Sequence, residues 1–303
     1  MKFLVIGHLC MDVIHPHEGG EIQSYGGIYY SVATLASLLG ANDQVVPVFG
    51  VNKADYQPLL DHLARFPTVD TSGIFKMEEP TNRVHLFYKD ANQRVECSKD
   101  IAPPISYTKI RRRLSADGIL VNMISGNDVT LDTLDHIRMA VREHHIPIHF
   151  DYHSLTLGVK KNHERYRRPV EDWRRWAFMT DTVQLNEDEI GGLTVETMTE
   201  KETVGHLLTL SVKGVLVTRA SNGATLYRSD KKHVVREDIP GEKVARPIDA
   251  TGCGDVFGAA FLLRYVQSKN LLEATTYANS IAARKARLSG SAELKSIAEP
   301  AGA

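Results

Sequence analysis

Two aspartates and a pair of glycines lie close together near the C-terminal end of the chain. Residues 249–255 read Asp-Ala-Thr-Gly-Cys-Gly-Asp, and an apolar segment with helical periodicity follows at 256–265. If a helix begins near Gly254, the amides of its first turn have no intrahelical partner and carry the positive end of the helix dipole. Such amides bind anions, and Asp255 beside them could take a proton from a hydroxyl group that attacks phosphorus. The motif predicts a phosphoryl-transfer site.

Two other interpretations of this motif remain open. The glycines could form a tight turn that only caps a buried helix. Alternatively, Gly252, Gly254 and Gly258 could be a variant dinucleotide fingerprint, which follows a buried strand and leads through a βαβ unit to an acidic residue. Arg-Pro-Ile at 246–248 precedes the motif, and a second helical pattern at 271–288 follows it. Neither flank suits a dinucleotide-dependent oxidoreductase.

Short apolar segments alternate with helical patterns along most of the chain, which predicts a doubly wound α/β domain with a mostly parallel sheet and helices on both faces. We expect residues 1–303 to form one such domain. The predicted strands are 2–6, 45–48, 118–121, 147–150, 182–185 and 214–218, and the predicted helices are 31–39, 55–65, 106–114, 130–144 and 200–210.

Two segments interrupt the alternation, at about 13–25 and about 80–100. We expect both to contribute to a small β lid that projects from the main domain. Residues 82–88 and 95–98 read as a hairpin that turns at residues 90–93. An ordinary edge hairpin is the alternative interpretation.

The composition excludes several classes of protein. Hydrophobic residues make up 43% and charged residues 24% of the chain, and the net charge of −1 gives no drive toward nucleic acid or an anionic membrane. Cys10, Cys97 and Cys253 are too far apart for a CxxC pair, which favours free thiols in a reducing compartment. No apolar stretch approaches a membrane span and the N-terminal apolar run is too short for a signal peptide, so we expect a cytoplasmic protein.

Residues 249–255 resemble the Asp-Thr-x-Gly-Ala/Cys-Gly-Asp motif of the ribokinase-like (PfkB) carbohydrate kinases. The resemblance covers nearly the whole chain, because weaker family features occur in the family's order. These are an aspartate after the first strand, a Gly-Gly pair, a strand-end aspartate, an Asn-x-x-Glu sequence and a Thr-x-Gly-x-x-Gly loop, at Asp12, Gly26-Gly27, Asp151, Asn186–Glu189 and 218–223.

The resemblance implies ATP-dependent transfer of the γ-phosphate to a hydroxymethyl group of a sugar or ribonucleoside. Asp255 would be the general base, and Asp249 would support the loop. Backbone amides of Gly252, Cys253 and Gly254 would stabilise the transferring phosphoryl group. The implied substrate-binding residues are Asp12, Gly26, Gly27 and Ser31. The implied nucleotide-binding residues are Asn186, Thr218, Gly223 and Asn279.

The same resemblance implies Mg²⁺, positioned through waters held by Glu189, and in some relatives a monovalent cation beside the loop. Asn186 and Glu189 also fit a capping box, which explains their spacing without chemistry. A monomer or homodimer with no nucleic-acid or membrane partner is expected. A non-catalytic protein of the same fold that senses a nucleotide or sugar is the rival class, and the presence of Asp255 favours the enzyme.

The chain departs from the family pattern at three positions. Ser31 stands where sugar-binding members have asparagine, which together with Tyr29 and Tyr30 tilts the expected substrate toward a nucleoside or substituted sugar. Ala220 replaces the first glycine of the nucleotide loop. After Asp151 the usual Asp-x-Asn-x-Arg reads Asp-Tyr-His-Ser-Leu, so an arginine contact to phosphate is absent there. The basic residues between 160 and 175 are predicted to form a solvated helical face.

Overall fold

A computed structural model describes residues 1–15, 20–88, 94–231, 233–244 and 247–298. Its strands, in chain order, are β1 (Lys2–Ile6), β2 (Leu9–His15), β3 (Ile22–Gly27), β4 (Gln44–Asn52), β5 (Ile74–Met77), β6 (Asn82–Tyr88), β7 (Arg94–Lys99), β8 (Gly118–Asn122), β9 (Ile148–Asp151), β10 (Leu157–Val159), β11 (Arg165–Arg167), β12 (Thr182–Asn186), β13 (Gly214–Thr218), β14 (Gly223–Asp230) and β15 (His233–Pro240). Its α-helices are α1 (Ile28–Leu38), α2 (Lys53–Leu63), α3 (Tyr107–Ile110), α4 (Leu131–Val141), α5 (Trp173–Phe178), α6 (Glu187–Gly191), α7 (Glu200–Thr209), α8 (Cys253–Ser268) and α9 (Leu271–Lys285).

Nine of these strands form the central sheet, in the order β15-β14-β13-β12-β9-β8-β1-β4-β5. All neighbours from β13 to β5 are parallel, and β14 and β15 add an antiparallel edge. The central strands are buried over almost their whole length, as strands covered on both faces must be. The predicted α/β fold with a mostly parallel sheet is confirmed.

The helices pack in two groups against this sheet. α8 packs against α1, α9 and strand β8, while α5 packs against α4 and α7. Helix α8 is buried along most of its length, because apolar side chains occupy nearly every side of it. Its N-terminus is therefore fixed by the core. No helix within the described ranges is both long and apolar enough to cross a membrane.

The two segments that interrupt the α/β alternation contribute to a second sheet, which has four strands in the order β3-β2-β6-β7. It begins earlier than predicted: β2 starts at Leu9, so Asp12 lies within this sheet and not in a loop after β1. Residues 16–19 and 89–93, which include part of the predicted lid and the whole predicted turn at 90–93, lie outside the described residues. We call this sheet the lid sheet.

The basic segment at 160–175 forms the predicted exposed helical face only at Arg174 and Arg175, on α5. Arg165 and Arg167 lie on β11, which pairs with β10 in an antiparallel hairpin. Arg165 is largely buried, and its guanidinium donates to Ser98 Oγ at 2.6 Å and to the Ser125 carbonyl at 2.9 Å. The hairpin thereby joins strand β7 of the lid sheet to the loop after β8. The prediction was wrong here because alternating basic residues on a short strand have the same composition as a polar helix face.

Candidate active site

The loop before α8 takes a conformation that only glycine accepts easily. Gly252 is the N-cap residue with φ 78°, and a Cβ there would lie 2.3 Å from the ring of Tyr30. The helix begins at Cys253, one residue earlier than predicted. The Cys253 amide already donates to the Ala250 carbonyl at 3.2 Å, so of the three predicted amides only those of Gly252 and Gly254 remain candidates for binding an anion.

Gly252, Gly254 and Asp255 line a cavity of about 230 Å³. The carboxyl ends of β9, β12 and β13 contribute Asp151, Asn186 and Thr218 to its wall. The other side is the inner face of the lid sheet. The cavity thus lies where ligands gather in open α/β sheets, outside the carboxyl ends of the strands.

Asp255 occupies the first turn of α8 and is buried. Its Oδ1 accepts a hydrogen bond of 2.7 Å from Nδ2 of Asn122, at the end of β8. Burial raises the pKa of Asp255 above its ordinary value, while the charge of His153 and the Asn122 bond act in the opposite direction. A carboxylate with a raised pKa beside an anion-binding loop is suited to general-base catalysis.

Asp151 and Glu189 lie near Asp255 and share its cavity. Burial, followed by the charges of Glu189 and Asp255, raises the pKa of Asp151 well above its usual range. Burial also raises the pKa of Glu189, although the charge of His153 opposes it. The described cavity wall also includes the carboxyl groups of Asp12 and Glu96 but no lysine or arginine. A polyanionic phosphoryl donor therefore needs additional positive charge to bind here.

A buried hydrogen-bond chain holds Asp151 and α8 together. Thr182 and Gln184 lie at 2.9 and 3.3 Å from the two ring nitrogens of His149. Gln184 donates from Nε2 to Asp151 Oδ2 at 3.2 Å and to the Gly254 carbonyl at 2.9 Å. Burial lowers the pKa of His149 to about 4, so this imidazole is neutral at pH 7. These hydrogen bonds fix residues 249–254, which we call the anion loop, relative to strands β9 and β12.

The predicted capping box at the start of α6 is confirmed. Glu189 accepts from the Asn186 backbone and side-chain amides, both at 2.8 Å, and its own amide donates to Asn186 Oδ1 at 2.9 Å. No group of three or more His, Cys, Asp or Glu side chains within the described ranges could hold a metal ion directly. Glu189 and Asp151 fit Mg²⁺ only in its common protein mode, through waters and substrate phosphates.

Replacing Glu189 with glutamine tests whether it does more than cap the helix. Glutamine can still complete the capping box by accepting from the Asn186 backbone amide through its single oxygen. Its NH₂ group cannot accept the second bond, from Asn186 Nδ2, so stability should fall slightly. If Glu189 also positions Mg²⁺, the loss of its charge should raise the Mg²⁺ concentration for half-maximal rate about 10-fold or more. A titration of the initial rate with MgCl₂ measures this change.

The control for that variant is Glu202→Gln, at another capping box, where Thr199 and Glu202 cap α7 and neither residue lines the cavity. This variant should leave the Mg²⁺ titration unchanged. An unchanged titration in Glu189→Gln as well would leave Glu189 with a capping role only.

The fold places Asp12 next to the Gly26-Gly27 pair, as predicted substrate-binding residues would require. It is buried on β2 and lines the cavity, and a Cβ on Gly26 would lie 2.0 Å from its carboxylate. Gly27, with φ 58°, also lines the cavity and would place a Cβ 2.7 Å from Ile124. Because neither glycine has a side chain, the Asp12 carboxylate fits against Gly26 and the cavity beside Gly27 stays open.

Ser31 lies beneath the cavity and not on its wall. It is fully buried, and its hydroxyl donates to the Asp255 carbonyl at 3.3 Å, which ties α1 to α8. Tyr30 lines the cavity, whereas Tyr29 is buried and bonds to His62 Nε2 at 2.9 Å. Of the two tyrosines, Tyr30 is thus the one positioned to contact a ligand.

The residues predicted to bind the nucleotide divide into two pairs. Asn186 and Thr218 line the cavity, but Gly223 and Asn279 do not. Asn279 instead donates from Nδ2 to the Pro240 carbonyl at 2.9 Å. Ala220 has φ 48°, so the methyl group replacing the family's glycine stands in a left-handed conformation that is strained for alanine.

The sequence analysis missed several residues of this site. Asn122 ends β8 and His153 follows the end of β9, positions that could have marked them as candidates. Gln184 is a polar residue in the middle of the buried strand β12, which is a signal of its own. Glu96 and Arg167 gave no comparable signal. Glu96 reaches the cavity from the lid sheet, and Arg167 Nη1 lies 3.7 Å from Glu189 Oε1.

Comparison with known proteins agrees with this architecture. Residues 161–297 match the family described as pfkB family carbohydrate kinase. The chain is 22% identical to an ATP-dependent 6-phosphofructokinase of Thermoanaerobacterium thermosaccharolyticum, over 95% of this chain and 88% of the relative. It is 26% identical to a putative sugar kinase of Pyrococcus horikoshii, over 92% and 87% of the two chains.

Two solved structures share the fold over nearly their full length. Ribokinase of Arabidopsis thaliana, complexed with ribose and ATP, has a TM-score of 0.75 at 20% identity and covers 96% of this chain and 94% of its own. A pyrophosphate-dependent kinase in the ribokinase family has a TM-score of 0.74 at 20% identity and covers 95% of each chain. These likenesses show that the fold is ribokinase-like. The chain is therefore similar to the PfkB family of carbohydrate kinases, over residues 161–297 in the family match and over most of its length in the two relatives.

Proposed function

We propose that this protein transfers the γ-phosphate of ATP to a hydroxymethyl group of a sugar or ribonucleoside. One observation carries the proposal: buried Asp255, bonded to Asn122 at 2.7 Å, opens with the anion loop into the same cavity as Asp12. A base, an anion cradle and a hydroxyl-binding carboxylate are the three parts that phosphoryl transfer to an alcohol requires.

In the proposed reaction, the acceptor hydroxyl gives its proton to the Asp255 carboxylate as its oxygen bonds to the γ-phosphorus. The bond from that phosphorus to the bridging oxygen breaks, and ADP leaves. The amides of Gly252 and Gly254 stabilise the charge on the transferring group, since they are aimed by α8 and cost no reorganisation. Asn122 orients the Asp255 carboxylate toward the acceptor.

Positive charge for the donor comes from three sources in this proposal. The N-terminus of α8 supplies a partial positive charge. Arg167 lies at the rim, with nitrogens 3.7 Å from both Glu189 and Asp188, and it is 41% exposed, so its guanidinium remains open to an anion. Mg²⁺, when bound with the donor near Glu189 and Asp151, would neutralise phosphate charge.

The acceptor side combines polar and apolar groups. Asp12 and Glu96 offer carboxylates for hydroxyl groups, and Val84, Leu86 and Tyr30 supply an apolar wall. This mixture suits a polyhydroxylated ring with one apolar face. Structural neighbours bind molecules of this kind, ribose in one case and myo-inositol in another.

Pyrophosphate is a second candidate donor, favoured by a specific observation. The described cavity wall ends at Thr218 and Asn186, and the other two predicted nucleotide-binding residues, Gly223 and Asn279, lie outside it. The Asn279 amide is already bonded to Pro240. A donor without a nucleoside would need none of these contacts. Three of the solved structures with this fold are of pyrophosphate-dependent kinases.

The test is a screen of sugars, inositols and nucleosides as acceptors, with ATP and pyrophosphate as separate donors. Release of ADP, or of phosphate from pyrophosphate, together with a phosphorylated acceptor identified by mass spectrometry would support the kinase. Turnover with ATP alone is the expected result, and turnover with pyrophosphate alone would select the second candidate. Binding of donor and acceptor without any product would favour the non-catalytic sensor.

A further inference from the structure

The side chain of Lys285, the last residue of α9, is completely buried below the anion loop. Its ammonium contacts the Asp249 carbonyl at 3.1 Å, Asp249 Oδ2 at 3.4 Å and the Leu288 carbonyl at 3.4 Å. It also lies 5.7 Å from the centre of the Tyr30 ring. A buried ammonium is costly unless oxygen atoms surround it, so this arrangement requires an explanation.

The oxygen atoms around Lys285 belong to the segments that set the anion loop. Asp249 Oδ1 accepts from the Thr251 amide at 2.8 Å, and its Oδ2 accepts from the Gly290 amide at 3.1 Å. Although burial alone would raise the pKa of Asp249, the Thr251 bond and the Lys285 charge lower it, so the carboxylate is ionised. Lys285 and Asp249 together join the start of the loop to the turn after α9.

Carbonyl and carboxylate oxygens at such distances are also the ligands of a monovalent cation. The family resemblance raised the expectation of such a cation beside this loop. Here the oxygens of Asp249 and Leu288 already contact a positive charge, the ammonium group of Lys285. A second monovalent cation about 4 Å from the ammonium would be repelled by about 4 kcal/mol at the effective dielectric of a protein. The residues present therefore do not fit a free cation at these oxygens.

We propose that Lys285 acts as a tethered monovalent cation: its ammonium positions the loop from Asp249 to Gly254 and makes catalysis independent of added K⁺ or Na⁺. Lys285 is a positioning residue, since it acts through the loop and through Tyr30. The catalytic part of this inference rests on the proposed kinase function. The inference that the Lys285 ammonium takes the place of a bound cation rests only on the oxygen atoms around it.

The experiment compares the full-length wild type with Lys285→Met at constant ionic strength in KCl, NH₄Cl or tetramethylammonium chloride. Wild-type kcat should be the same in all three salts to within about two-fold, because a tethered cation needs no partner from solution. Lys285→Met should lose about 10-fold or more of kcat in tetramethylammonium chloride, because the loop carbonyls lose their cation. K⁺ or NH₄⁺ should restore part of this loss by entering the vacated oxygen set.

Thermal unfolding provides a readout that needs no substrate. The midpoint of Lys285→Met should rise with K⁺ relative to tetramethylammonium, because a cation that binds only the folded state stabilises it. The wild-type midpoint should not depend on which cation is present. Lys213→Met is the matched control: it removes a lysine paired with Asp181 at 2.9 Å, and its activity and unfolding should show no cation preference.

Three results would overturn the inference. One is a wild type that requires K⁺ or Na⁺ for activity, a measurement that holds even if Lys285→Met fails to fold. The second is a folded Lys285→Met that keeps wild-type kcat in every salt. The third is a loss in Lys285→Met that no cation relieves in either kcat or unfolding midpoint. If no acceptor is phosphorylated but the unfolding of Lys285→Met responds to K⁺ as described, the kinase proposal fails and the cation assignment stands.

Discussion

Replacing Asp255 with asparagine should lower kcat by about 10²-fold or more while leaving donor affinity nearly unchanged. Asparagine keeps the size of the side chain and can still accept the hydrogen bond that Asn122 donates at 2.7 Å, so the loop should stay in place. What it lacks is the ability to take the acceptor's proton. Steady-state kinetics with calorimetric binding of the donor separates the two effects.

The pH dependence of the wild type follows from the same carboxyl group. Because burial raises the pKa of Asp255, the base becomes protonated at a higher pH than an ordinary aspartate would. The value of kcat/KM should therefore fall as the pH is lowered through this raised pKa. Replacing Asn122 with leucine removes a bond that lowers the pKa, so the acid limb of the profile should move to still higher pH.

The Asp255→Asn substitution should raise the stability of the protein although it lowers its activity. A carboxyl group whose pKa is higher in the folded than in the unfolded state favours folding when protonated and disfavours it when ionised. Asp255 is such a group, so Asp255→Asn should raise the unfolding midpoint at pH values above the raised pKa of Asp255 and lose this advantage below it. Residues poised for catalysis commonly reduce stability in this way.

Asp132→Asn provides the control, because Asp132 is 83% exposed on α4. It should change neither kcat nor the acid limb. An Asp255→Asn variant that keeps wild-type turnover with the best acceptor would exclude Asp255 as the base.

The fold was predictable where short-range pattern decides structure. The strands of the central sheet are contiguous apolar runs, and such runs between helical patterns have few alternatives to a parallel buried sheet. The start of the lid sheet was not predictable in the same way. Leu9, Cys10 and Met11 continue an apolar pattern after β1, and only pairing with β3 and β6 makes them a separate strand.

The site was predictable where one local motif carries it. Asp255, Gly252 and Gly254 lie within four residues, and the helix that aims them follows directly. Asn122 and Gln184 reach the same place from strands that are distant in the chain, and a single polar residue on a strand has many possible roles. Lys285 is the clearest case: a lysine at the end of a helix usually offsets the helix dipole in solvent, and here tertiary contacts bury it completely.

The acceptor-binding role of Asp12 gives the second large expected effect. Replacing Asp12 with alanine should weaken acceptor binding by about 1–3 kcal/mol, or about 5–150-fold, because a charge-assisted hydrogen bond is lost and its partners are left unpaired. Donor affinity measured alone should barely move, since the predicted donor contacts Asn186 and Thr218 lie on other strands of the cavity wall. Acceptor KM and calorimetric binding of each substrate measure the two effects.

Asp61→Ala is the control for this variant, because Asp61 lies exposed on α2 and accepts only a surface bond of 2.8 Å from Gln57. It should bind both substrates like the wild type. Gly26→Ala should reproduce the Asp12→Ala defect without removing the carboxylate, because the added methyl group would displace it from a position 2.0 Å away. If Asp12→Ala impairs donor binding alone, or if the acceptor is found bound away from Asp12 and the lid sheet, the assignment of the acceptor site is wrong. If Asp12→Ala and Gly26→Ala show the same loss of acceptor binding, the acceptor site depends on the close packing of the Asp12 carboxylate against Gly26.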